Sequence, residues 1–77
     1  MAYIIQDMET MSIHRVQPWE MRRFLNDAIP QGTELVYNTI DFVADYFEGK
    51  HLYFFVIPDL MAKLGFRISR EDGTLTL

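Results

Sequence analysis

Val56-Ile57-Pro58-Asp59-Leu60-Met61-Ala62-Lys63-Leu64-Gly65, followed by Phe66-Arg67-Ile68-Ser69-Arg70-Glu71-Asp72-Gly73-Thr74-Leu75-Thr76-Leu77, is the stretch that decides the fold. Pro58 suits the first helical position, where its missing N–H would have no intrahelical partner. Gly65 accepts the left-handed conformation that ends a helix. The spacing therefore predicts a short helix over 58–64 and a strand from Phe66. Phe66 and Ile68 fall on one face of that strand, Arg67 and Ser69 on the other. Asp72-Gly73 predicts a tight hairpin turn with Gly73 at positive φ, and a return strand carrying Leu75 and Leu77.

Working back from this hairpin, residues 51–57 are ambiguous. Leu52-Tyr53-Phe54-Phe55-Val56-Ile57 is β-prone and apolar on both faces. A helix over 52–64 would place Pro58 in its interior, at a cost of roughly 3 kcal/mol. The expectation is a strand, buried or in an interface, and then the short helix. A homodimer through this segment or the hairpin edge is expected. Further back, Asn38 reads as an N-cap for a helix ending at Glu48, with Gly49 as its stop. Thr33–Tyr37 reads as a short strand. Met21, Phe24, Leu25, Ala28 and Ile29 make one apolar stripe on a helix over 18–29, between Pro18 and Pro30-Gln31-Gly32. Residues 2–6 and 12–16 are strand candidates, and residues 1–11 read alternatively as a loose N-terminal arm.

The expected fold class is α+β: a small single domain over residues 1–77, with three helices, a C-terminal β-hairpin and additional short strands. Seventy-seven residues suffice for one modest core. Hydrophobic residues make up 49% of the chain, which excludes disorder by composition. With no cysteine, neither a disulfide framework nor a Cys-ligated zinc site can form. That favours a cytoplasmic setting, since small secreted domains often rely on disulfides. The N-terminus carries no signal-peptide pattern, and no apolar run is long enough to span a bilayer. A net charge of −4 disfavours nonspecific attraction to nucleic acid or an anionic membrane.

The order helix, short strand, helix, ambiguous segment, helix, hairpin resembles the winged-helix order. Leu60-Met61-Ala62-Lys63-Leu64-Gly65-Phe66-Arg67-Ile68 resembles the end of a recognition helix entering the first wing strand. The resemblance implies a winged-helix-like DNA-binding regulator. Residues 50–64, however, offer only Lys50, His51 and Lys63 to bases or phosphates, where recognition helices present Arg, Lys, Asn or Gln. Lys63, Arg67 and Arg70 read either as a small basic patch or as ordinary solvated charge beside Glu71 and Asp72.

No residue pattern carries identifiable chemistry. His14 and His51 lack metal-ligand spacing, Ser12 and Ser69 lie in no nucleophile motif, and there is no phosphate-binding glycine loop. No catalytic residue, cofactor or metal is expected. The most suggestive surface is a helical stripe of Asp41, Asp45 and Glu48, with Phe42 and Tyr46 beside it. It reads as a solvated face, or as a partner surface whose carboxylates steer a basic target toward aromatic anchors. Trp19, with Arg22 and Arg23 one turn on, reads as a cap on the core edge or a second partner contact. The resulting expectation is a non-enzymatic protein-binding module meeting a partner with a basic surface. Its profile is similar to that of small inhibitors encoded by phages and mobile elements, including anti-CRISPR-type proteins. The alternative is the DNA-binding regulator.

Overall fold

Apolar residues at alternate positions of three strands meet three amphipathic helices, and that sets the architecture. The computed structural model describes residues 1–73. The element order is β1 (Tyr3–Asp7), β2 (Ile13–Val16), a 3₁₀ turn (Pro18–Glu20), α1 (Met21–Ala28), α2 (Glu34–Phe47), α3 (Ile57–Lys63) and β3 (Phe66–Arg70). The strands form an antiparallel sheet in the order β2-β1-β3. Ile5 sits opposite His14 on one side and Ile68 on the other. The helices cover the face carrying Ile5, Val16, Phe66 and Ile68. These residues pack with Met21, Leu25, Ile40, Val43, Ile57 and Met61 into one core. The opposite face carries Ile4, Gln6, Ile13, Arg15, Arg67 and Ser69.

The α+β class, the helix at 18–29, the glycine-terminated helix near 58–64 and the strand from Phe66 agree with the sequence. Gly65 ends α3 at φ +94°, and a Cβ there would meet no atom within 4 Å. Its requirement for glycine is therefore conformational rather than steric. Pro58 occupies the first turn of α3, one residue after Ile57.

Four expectations are corrected. First, residues 1–11 are not a loose arm, because Tyr3–Asp7 is the central strand. The Asp7 carboxylate accepts from the Glu9 and Thr10 N–H groups and shapes the turn into β2. Met11 closes that turn at φ 64°. Second, Thr33–Tyr37 is not a strand. Thr33 is the N-cap of α2, its Oγ1 accepting from the Val36 N–H at 3.3 Å. Asn38 therefore lies inside the helix. Val36 extends the Ile40, Val43, Phe47 stripe back by one turn, and burying it against the core outweighs its β-propensity. The strand that a winged helix places between its first two helices is consequently a helical turn here.

Third, residues 51–56 form no strand. The sheet gives them no partner among the described residues, and a β-ladder without one leaves its N–H and C=O groups unpaired. Fourth, the turn after β3 is centred on Glu71-Asp72, with the Gly73 N–H donating to the Arg70 carbonyl at 2.9 Å. Gly73 does take positive φ, at +79°. The expected return strand lies outside the described residues.

Candidate functional site

The acidic stripe of α2 is one half of a helix–helix ion network. α1 presents Arg22 at the flank of its buried Met21 and Leu25, on the side toward α2, and the guanidinium fork reaches all three carboxylates. Nη1 lies 2.9 Å from Asp41, Nη2 2.7 Å from Asp45, and Nε 2.8 Å from Glu48. Lys50 adds Nζ contacts of 3.5 Å to Asp45 and 3.3 Å to Glu48. A rigid five-donor fork suits this arrangement, and a lysine would not reproduce it. The structure thus brings Arg22, Asp41, Asp45 and Glu48 together, with much of their charge spent on one another.

The network sets an acid sensitivity. Hydrogen bonding from Arg22, reinforced by Lys50, holds the Glu48 carboxyl at about 2 against the ordinary 4.5, despite its partial burial. A depressed folded-state value stabilises the fold above the unfolded-state value, and that contribution is lost as pH falls through the folded one. Wild-type stability should therefore decline between about pH 4.5 and 2, as Glu48 takes up its proton. Arg22→Met should weaken this dependence and lower the neutral-pH stability by about 1 kcal/mol, as expected for a partly exposed network. Urea midpoints measured from neutral to acid pH check this. An unchanged slope in Arg22→Met would show that the network does not couple the helices.

The remaining expected contact residues separate. Tyr46 is half-buried, its ring 5.0 Å from Phe47 and 5.3 Å from Phe54, and burial raises its phenol. Phe42 is exposed and stacks on His51 at 4.4 Å. Trp19 is 74% exposed on a different surface. Arg23, beside it, makes a long contact of 3.7 Å to Asp27. The cation–π contact seen among the described residues is Arg70 over Phe54 at 5.7 Å, while Arg22 turns toward α2. Arg67 and Arg70 lie on opposite faces of β3, so with Lys63 they form no continuous basic patch.

What the sequence reading placed in a buried strand is an exposed apolar loop. Leu52 is 87% exposed, Tyr53 66% and Phe55 74%. Between Leu52 and Phe55, Phe54 is the residue that turns inward, into a cluster with Tyr3, Tyr46, Phe47 and Arg70. The loop is thereby held at its middle while its neighbours project, and the Tyr53 and Phe55 rings meet edge to face at 5.8 Å. Beside the loop, Asn38, Thr39, Phe42, Val56 and Leu60 line a shallow groove of about 370 Å³ between α2 and α3. Exposed Leu35 lies one turn before Thr39 on α2 and extends this apolar face. The signal available in the sequence was the two-sided apolar character of residues 52–57.

A second groove, of about 750 Å³, lies between β2 and α1 and is lined by Ile13, His14, Trp19, Arg23, Phe24 and others. Ser12 Oγ stands 3.0 Å from His14 Nε2, but it also bonds Thr10 Oγ1, and no carboxylate contacts that imidazole among the described residues. Among the described residues, no group of three or more His, Asp or Glu side chains is arranged to hold a metal ion. No helix among them is long and apolar enough to cross a membrane. No family model, curated protein or solved structure matches the chain.

Proposed function

We propose that this chain is a non-enzymatic protein-binding module that acts by covering a partner's surface, in the manner of small phage and mobile-element inhibitors. The observation that carries the reading is the loop Leu52-Tyr53-Phe55. Three large apolar side chains project from it while Phe54 fixes its base. Exposed apolar surface of this kind costs solubility and marks interaction sites. Aromatic anchors on a constrained loop lose little entropy on binding and supply most of the energy at an interface. Phe42 and the α2–α3 groove continue the surface. The partner presents an apolar recess with a neutral or basic rim, because the chain carries a net charge of −4.

The test is capture by the immobilised protein from a lysate of its source cells, followed by surface plasmon resonance against the recovered partner. Tyr53→Ala combined with Phe55→Ala should weaken binding at least roughly thirtyfold, the effect of losing hot-spot anchors. The melting temperature should hardly move, since both rings are exposed. Wild-type affinity in the double variant would eliminate this surface.

A further inference from the structure

We infer that β2 is the contact strand of a homodimer, pairing antiparallel with β2 of a second copy to join two three-stranded sheets into one. The inference stands independently of the apolar loop, which lies on other elements. The Asp7 N–H donates to the Ser12 carbonyl at 2.9 Å, and the β1–β2 register continues as Ile5 opposite His14 and Tyr3 opposite Val16. In an antiparallel ladder, bonded pairs alternate with non-bonded ones. His14 and Val16 therefore direct their backbone groups at β1, while Ile13 and Arg15 direct theirs outward. Among the described residues, β2 has β1 as its strand neighbour and no strand on its other side.

Apart from its short length of four residues, this edge lacks the usual guards. Edge strands are normally blunted by proline, a bulge or a solvated charge. Ile13–Val16 holds no proline, and its one charged residue, Arg15, is drawn across the outer face to Glu71 beyond β3. The outward groups of Ile13 and Arg15 are two residues apart, so a two-fold axis through His14 sets each Ile13 against the other chain's Arg15. Both pairs are then doubly hydrogen-bonded.

Charge favours a second copy over a strongly charged partner. The groove beside the edge carries both signs, Arg23 with Glu20 and Asp27, while the Arg15 guanidinium turns to the outer face. A second copy brings both signs to the contact, which a uniformly charged partner does not. The same axis sets the two α1 helices on one side of the joined sheet. Each groove is then closed by the other copy, and exposed Trp19 gains cover. A contact of this kind extends beyond four backbone bonds, as a stable dimer requires.

The chain has no cysteine, so single cysteines report the contact cleanly. Facing residues of a non-bonded antiparallel pair approach closely enough for a disulfide. With diamide as oxidant, His14→Cys should cross-link to a covalent dimer, and Leu52→Cys should remain monomeric on denaturing gels. By sedimentation, wild type should show a monomer–dimer equilibrium. Ile13→Lys keeps the β1 pairing and places a solvated charge on the edge, and it should weaken that equilibrium at least roughly tenfold. Its thermal melt under monomeric conditions should match wild type. A wild type that is monomeric at every concentration overturns the inference. So does a dimer that cross-links through Leu52→Cys and not His14→Cys, or one that Ile13→Lys leaves unchanged.

Discussion

Ile5→Ala is expected to destabilise the domain by about 3 kcal/mol, the usual cost of truncating a fully buried isoleucine. Ile5 has no exposed surface and lies mid-way along the central strand, flanked by His14 and Ile68 and covered by the helices. The loss combines the apolar area returned to water with a cavity that a central strand cannot collapse to fill. A domain of this size shifts its melting point by several degrees per kcal/mol, so a fall of roughly 15 °C follows. Ile4→Ala, on the uncovered face, should cost less than about 1 kcal/mol, as surface substitutions do. Circular-dichroism melts of the two variants measure the asymmetry between the faces. Equal and small shifts would mean that β1 is no core strand and that an N-terminal arm describes these residues better.

That experiment addresses the feature that was hardest to read in the sequence. Tyr3-Ile4-Ile5 offers too short an alternation to separate a central strand from an arm. Its burial depends on Ile68 and on helices far along the chain. By contrast, Gly65 and Pro58 act through their own backbone geometry, so the helix–strand junction around them was legible. Val36 shows the opposite balance. Its local surroundings, Leu35-Val36-Tyr37, favour a strand, but its place one turn before Ile40 puts it on a helical core stripe, and tertiary burial decided. Thr33 was the overlooked N-cap, four residues before Tyr37.

The candidate surface was legible by halves. Phe42, Trp19 and Arg23 are exposed as a helical wheel suggests. The carboxylates are not free, because Arg22 lies 19 to 26 residues away from them in sequence and no local spacing announces a contact at that range. The loop gave the opposite error. Its composition signalled burial, but a run of six apolar residues next to a completed core has nothing to bury against. Only Phe54, Val56 and Ile57 of that run reach the core or its margin.

Phe54 is where that distinction has its largest consequence. Phe54→Ala is expected to lower stability by about 2 kcal/mol, below the cost for a wholly buried ring because this one is half-exposed. It removes ring contacts with Tyr3, Tyr46 and Phe47, each of them a pair that contributes beyond simple burial, and it leaves Arg70 without its aromatic face. The melting point should fall by roughly 10 °C. Phe55→Ala, one residue away, should leave it in place, since that ring touches mainly Tyr53. In binding the order changes. Phe55→Ala loses an anchor directly, whereas Phe54→Ala loosens the loop, so Leu52, Tyr53 and Phe55 must be ordered at the moment of contact. Both variants should therefore bind the recovered partner more weakly, but only one should melt early. Phe54→Leu keeps an apolar plug without the ring and should recover part of the stability. If Phe54→Ala melts with wild type, the loop has no anchor at that residue, and its exposed side chains are not held ready for a partner.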